Sequence, residues 1–180
     1  GSSATSWIAS TRWTPARPQL ERLQVARILI IGCGCRGRAL AASLIERGHA
    51  VRGTTRREAQ LQAIEEAGAE ALLADPDRIA TVAPALAGVG VVAFLLGSAQ
   101  GTNAQLEALH GPRLEMLLTR VLDSPARAFL YEAGGSVDGA ILQDGARLVA
   151  AFCERSHIPY RTMTESDPKT WADAVDALLA

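Results

Sequence analysis

From Ala26 onward the chain alternates two hydrophobic patterns. Short apolar runs, read as strands, give way to stretches in which leucine, isoleucine or valine recurs at helical spacing, and glycines mark many of the changeovers. Ala26 to Ile31 (ARILII) predicts a first strand. Arg36 to Arg47 (RGRALAASLIER) places Leu40, Leu44 and Ile45 along one side of a helix that Gly48 closes. Ala50 to Thr55 (AVRGTT) predicts a second strand, and Arg56 to Ala67 a second helix with Leu61 and Ile64 inward and Gly68 as its stop. Glu70 to Ala74 (EALLA) predicts a third strand, and Asp75-Pro76 opens a third helix, with proline at its first position and Gly88 at its end. Val89 to Leu96 (VGVVAFLL) is the most hydrophobic run, the pattern of a central parallel strand buried on both faces.

The alternation continues through a helix over Asn103 to Leu122, interrupted at His110-Gly111-Pro112, a strand over Arg127 to Glu132 and a helix over Asp138 to Ser156. A strand over Pro159 to Met163 and a helix opened by Asp167-Pro168 complete it. Six strands and six helices in this order predict an α/β fold: a doubly wound parallel six-stranded sheet in Rossmann order 3-2-1-4-5-6, forming one domain over residues 26–180. Residues 1–25 stand apart. They carry Trp7, Trp13, Pro15 and Pro18 without a clear period until Leu20, Leu23 and Val25, and they open on a GSS triplet that reads as a tag remnant. The expectation is an arm that packs on its own domain or on a second copy in a homodimer.

Composition narrows the partners. The 180 residues are 48% hydrophobic, enough for one substantial core. Lys+Arg 18 against Asp+Glu 19, with no long basic run, leaves no electrostatic footprint for nucleic acid or an anionic membrane. No apolar run reaches the roughly 18 residues of a membrane span and no signal-peptide pattern is visible, so a soluble cytoplasmic protein is expected. Cys33, Cys35 and Cys153 are too few for a disulfide framework, and Cys33-x-Cys35 without a nearby partner lacks the four ligands of a structural zinc, so no metal site is expected. Cys35, at a helix N-terminus, has two readings: a redox-sensitive thiol or a small loop filler. His49, His110 and His157 all fall next to helix breaks and are read as surface or capping residues.

Candidate chemistry concentrates where the first strand turns into the first helix. In IIGCGCRG, Gly32 permits the tight turn, Gly34 lets backbone approach a pyrophosphate and Gly37 lets helix and strand pack closely, with Cys35 and Arg36 completing the cradle. An acidic residue about 20 residues on would bind a ribose 2′-hydroxyl. The second strand instead ends GTTRR, and Thr54, Thr55, Arg56 and Arg57 suit the 2′-phosphate of NADP rather than NAD. The alternative is that both arginines are ordinary solvated residues in a chain whose basic side chains are almost all arginine.

These segments, ILIIGCGCRGRALAASLIERGHAVRGTTR with GAEALLADPDRIATVAPALAGVGVVAFLLGSA and ARAFLYEAGGSV, resemble the atypical NAD(P)H-binding members of the short-chain dehydrogenase/reductase superfamily over about residues 26 to 137. The resemblance implies that Asp75 lies beside the adenine edge and that Leu96, Gly97 and Ser98 line the nucleotide; Asp75 also reads as a helix N-cap. One departure stands out. The reducing members use a tyrosine with a lysine four residues later, whereas Tyr131 is followed at that spacing by Gly135, Tyr160 by Thr164, and the one lysine is Lys169.

Any replacement should lie at the carboxyl ends of the strands. Glu132 is the candidate proton carrier, if burial raises its pKa; the competing role is acceptor of backbone N–H groups from the AGGS loop that follows it. The sequence therefore predicts an NADP(H)-binding Rossmann protein with three uses open: a reductase of a small carbonyl-type substrate, a non-catalytic NADP(H) sensor or scaffold, and an epimerase or isomerase.

Overall fold

The computed structural model describes residues 25–180. The arm over residues 1–24, and with it the expected packing on a second copy, lies outside the described residues. Strands β1 (Arg27–Ile31), β2 (Ala50–Thr55), β3 (Glu70–Leu73), β4 (Val91–Phe94), β5 (Ala128–Glu132) and β6 (Tyr160–Met163) form one sheet in the order β3-β2-β1-β4-β5-β6. Every pairing is parallel, with Ile31 opposite both Thr54 on β2 and Phe94 on β4. The expected topology is the one observed.

Strand residues point alternately to the two faces, and each face has its own core. Ile28, Ile30, Val91, Ala93, Ala128 and Leu130 pack under helices α1 (Cys35–Glu46), α2 (Leu61–Glu66) and α7 (Pro168–Leu179), which contribute Leu40, Leu44, Ile64, Trp171 and Val175. Leu29, Ile31, Val92, Phe94, Phe129 and Tyr131 pack under α3 (Ile79–Val82), α4 (Asn103–Ala108), α5 (Leu114–Leu122) and α6 (Gly139–Ser156). Burial on both faces is the reason β1 and β4 read as unbroken apolar runs. No helix among the described residues is long and apolar enough to cross a membrane.

Two expectations change. The third helix does not run from Asp75-Pro76 to Gly88: a turn precedes the single turn of α3, and a 3₁₀ turn at Ala83–Leu86 follows it. Asp75 is therefore not a helix N-cap. Its carboxylate accepts the Asp77 N–H at 3.0 Å, a local turn that competes with the helix, and Thr81 Oγ1 accepts the Asp75 N–H at 2.8 Å. Arg52, buried on β2, then holds the 3₁₀ turn by donating to the carbonyls of Ala85 at 2.7 Å and Ala87 at 3.0 Å.

The second helix also starts late. A 3₁₀ turn at Glu58–Gln60 precedes α2, so Arg56 and Arg57 stay in the loop after β2. The expected interruption at His110-Gly111-Pro112 is present, as a widened, π-helical turn at Leu109–Arg113 that joins α4 directly to α5. Pro112 has no N–H for the ladder, and Gly111 sits at φ −114°, ψ −105°, outside helical geometry.

Candidate functional site

Where β1 ends, the chain turns over the sheet at the point where its neighbours run on in opposite directions, β2 to one side and β4 to the other. Gly32 makes the turn at φ +85°, and a Cβ there would lie 2.6 Å from the Leu95 carbonyl oxygen. Gly37 faces inward, where a Cβ would stand 3.1 Å from the Gly32 carbonyl oxygen and 3.2 Å from Ile30. Gly34 is different: a Cβ on it would meet no atom within 4 Å, because it borders an open groove. Helix α1 starts at Cys35 with no side-chain cap, so its first-turn N–H groups and the positive end of its dipole are directed at the mouth of the turn.

The groove has a volume of about 610 Å³. Its floor is the glycine turn, with Gly32, Gly34, Cys35, Arg36 and Gly37; one wall is the end of β2, with Thr55, Arg56 and Arg57; the other includes Leu96 and Ser98 from the loop after β4. Three predicted residues fall outside the lining. Asp75 sits between two lining residues, Ala74 and Pro76, while Gly97 and Glu132 lie behind the wall. Among the described residues, the lining thus carries three arginines, Arg36, Arg56 and Arg57, and no carboxylate.

The arginines are held differently. Arg56 and Arg57 are exposed; Arg56 has Asp77 at 3.8 Å, and the Arg57 N–H donates to Thr55 Oγ1 at 3.1 Å. Arg36 instead reaches across the ends of three strands. Its Nη1 lies 2.6 Å from Glu132 Oε1 and 3.4 Å from Ser166 Oγ, and its Nη2 donates to Ser98 Oγ. Ser98 Oγ in turn accepts the Ser136 N–H at 3.1 Å, which fastens the loop after β4 to the loop after β5.

Glu132 is 1% exposed. Its Oε2 accepts the Gly97 N–H at 2.7 Å; Oε1 has the charge of Arg36 beside it but no directed hydrogen bond. Burial pushes its carboxyl above the usual glutamate range, and the Gly97 N–H and the Arg36 charge oppose that rise. The N–H it accepts comes from the loop after β4, not from the AGGS loop. Backbone there is packed closely: a Cβ on Gly97 would collide with the Gly134 carbonyl and a Cβ on Gly135 with the Gly97 carbonyl, which explains glycine at both loops.

Two histidines read as surface or capping residues prove to be buried. His49 is 8% exposed, accepts the Ala26 N–H at 3.3 Å and pairs through Nε2 with Asp176 at 2.8 Å. His110 is 2% exposed; its Nε2 lies 3.2 Å from the Leu96 carbonyl and its Nδ1 2.8 Å from the Tyr131 hydroxyl. His110 had a signal, since Leu106, His110 and Leu114 recur every fourth residue along the inward stripe of α4 and α5. His157 is exposed, in left-handed conformation at the end of α6, as a capping residue would be. Cys33 is buried and its thiol is pushed up to about 11 by burial, whereas Cys35 is exposed with Arg38 at 3.5 Å from its sulfur.

A model of an NAD(P)H-binding family matches residues 32–159. No curated protein matches the chain. Among solved structures, the chain is similar to a Bacillus halodurans protein described as an NAD-dependent epimerase/dehydratase (21% identity, TM-score 0.66, covering 77% of this chain and 69% of that one). It is also similar to a UDP-glucuronic acid 4-epimerase from Bacillus cereus in complex with NAD (16%, TM-score 0.63, 77% and 55%). A third is a triphenylmethane reductase from Citrobacter complexed with NADP(H) (16%, TM-score 0.60, 77% and 49%). The chain spans only about half the length of the latter two. At these identities the likeness is one of fold.

Proposed function

The chain belongs to the NAD(P)H-binding family, and from that footing we propose that the groove's ligand is NADP(H). The observation that carries this reading is the lining itself: among the described residues, three arginines and no carboxylate around an uncapped helix N-terminus. A pyrophosphate fits the turn, since Gly34 leaves backbone open to the groove and the first-turn N–H groups of α1 lack side-chain partners. The 2′-phosphate is assigned to Arg56 and Arg57, whose guanidinium groups make no tight ion pair among the described residues and stand where a ribose-binding acid would otherwise be. Replacing both with alanine is expected to bring NADPH affinity down to that of NADH while moving NADH by no more than about twofold, because NADH presents no phosphate there. Calorimetric titration of the double variant checks it, and an undiminished preference for NADPH would remove the arginines from the site.

Two uses of the nucleotide remain to be separated. A bound nicotinamide supplies or accepts a hydride; a reductase of a small carbonyl substrate must also deliver a proton to the substrate oxygen. Glu132 is the chain's candidate for that, yet it lies behind the groove wall, engaged by Gly97 and Arg36. Tyr131, beside it on β5, is buried with its hydroxyl turned to His110. These placements favour a protein that responds to NADP(H) over one that turns it over, with the reductase and epimerase readings requiring Glu132 to be released first.

A further inference from the structure

One peptide unit in the groove wall is gripped at both ends. The carbonyl of Leu96 faces His110 Nε2 at 3.2 Å, and the N–H of Gly97, the other end of the same peptide, donates to Glu132 Oε2 at 2.7 Å. The two ends of a trans peptide point opposite ways. The groups that take them come from opposite faces of the sheet, because Tyr131 and Glu132 are successive residues of β5 and project to opposite sides. Glu132 takes the N–H directly; Tyr131 acts through His110, its hydroxyl 2.8 Å from Nδ1. A carbonyl only accepts, so Nε2 carries the proton that bonds Leu96. Nδ1 of the neutral ring then accepts from the Tyr131 hydroxyl, whose single proton takes this 2.8 Å partner over the Leu142 carbonyl at 3.4 Å, and burial, which pulls the His110 pKa down, keeps that ring neutral.

This arrangement needs several costly features at once. A buried carboxylate and a buried imidazole are spent where leucine or phenylalanine would pack without a desolvation penalty. The helix between α4 and α5 is widened to a π turn at the residues that include His110. Gly145 on α6 is obligatory, since a Cβ there would collide with the Tyr131 hydroxyl. The segment held so firmly leaves the sheet after Phe94 and lines the groove through Leu96 and Ser98. In a doubly wound sheet the dinucleotide crosses the switch point, its adenosine half over the β1–β3 side and its second half over the β4 side.

Resting on the NADP(H) reading, we propose that His110 and Glu132, with Tyr131 behind His110, are positioning residues that lock the Leu96–Gly97 peptide so that the loop after β4 meets the nicotinamide half of the dinucleotide. None of the three needs to touch the ligand. The inference distinguishes the two halves of the ligand: a loosened clamp weakens a whole dinucleotide and leaves the adenosine fragment, bound by the glycine turn and the end of β2, untouched.

The test titrates NADPH and the fragment 2′,5′-ADP into the wild type, His110→Asn and His110→Gln. An asparagine amide reaches the place of Nδ1 but not that of Nε2; a glutamine amide reaches the place of Nε2. Asparagine is expected to weaken NADPH roughly tenfold, the effect of one buried hydrogen bond, with 2′,5′-ADP within about twofold, and glutamine to restore most of the NADPH affinity. Equal loss of both ligands, or asparagine and glutamine behaving alike toward NADPH, overturns the clamp. If His110→Asn does not fold, Tyr131→Phe keeps the ring against Phe94 and deletes only the hydroxyl; the ratio of NADPH to 2′,5′-ADP affinity must then fall by about threefold, and an unchanged ratio overturns the proposal. A wild type that binds neither ligand overturns the NADP(H) reading and this one with it, whereas a wild type that binds both, with variants that leave the ratio unmoved, overturns the clamp alone.

Discussion

Gly32 and Gly34 stand two residues apart and are glycine for opposite reasons. Gly32 has a positive φ and no room, so Gly32→Ala is expected to destabilise the fold by about 2 kcal/mol or more, through left-handed strain and the push against the Leu95 carbonyl. Gly34 has ordinary backbone angles and open space, so Gly34→Val should cost only the poorer helix cap, about 1 kcal/mol, yet put a branched side chain where the proposed pyrophosphate would lie. Thermal melts and calorimetry on both variants separate the cases: a stable Gly34→Val that has lost at least about tenfold in affinity for NADPH and NADH alike is expected, and retained affinity would move the pyrophosphate elsewhere. These glycines were legible in the sequence because their spacing follows a strand directly. His49 was not, because a histidine beside a glycine reads as a surface residue until the partner that buries it, Asp176, is known from the fold; His110 carried only its four-residue spacing from Leu106 and Leu114, and its partner Tyr131 lies on a distant strand.

Among the elements, α7 is fastened to α1 by both packing and charge. Trp171 is fully buried with its indole N–H donating to the Glu165 carbonyl at 2.7 Å, and Asp176 receives Arg47 at 2.6 Å and His49 at 2.8 Å. Partial burial pushes the Asp176 carboxyl up, but hydrogen bonds from Arg47 and His49 outweigh it and hold the group below the usual aspartate range. Its contribution is therefore complete above the unfolded value of about 3.9 and is lost as pH falls through the depressed folded value. Asp176 is 41% exposed, so the contribution is about 0.5 kcal/mol after screening. Denaturant unfolding of Asp176→Asn should show that deficit at pH 7 and a narrowing gap to the wild type below about pH 3.9; a gap that widens in acid would contradict the assignment. The elements themselves were readable where burial on two faces leaves a continuous apolar run, as in β1 and β4. The third helix was not legible because Asp75-Pro76 satisfies the rules for a helix start, while the turn that displaces it is held by Thr81 and the 3₁₀ turn at Ala83–Leu86 by Arg52 reaching from β2. Long-range bonds of that kind leave no local pattern.

On the scale of the molecule, the sheet order places the glycine turn, the end of β2 and the loop after β4 around one groove, and composition makes that groove cationic inside a chain that is almost neutral overall, with a formal net charge of −1. The topology was legible because strands and helices alternate strictly. The site was half legible: residues that touch the groove follow from motif spacing, whereas the clamp behind its wall joins Leu96, His110, Tyr131 and Glu132, which no local spacing connects. The central claim is that this groove holds NADP(H) by its 2′-phosphate as well as its pyrophosphate. Calorimetric titration of the wild type with NADPH and with NADH, at one ionic strength, tests it most directly. The account predicts tighter binding of NADPH by about 1.5–3 kcal/mol, roughly 10- to 150-fold, from charge-assisted hydrogen bonds to Arg56 and Arg57; equal affinities would contradict the 2′-phosphate assignment, and binding of neither would contradict the nucleotide site itself.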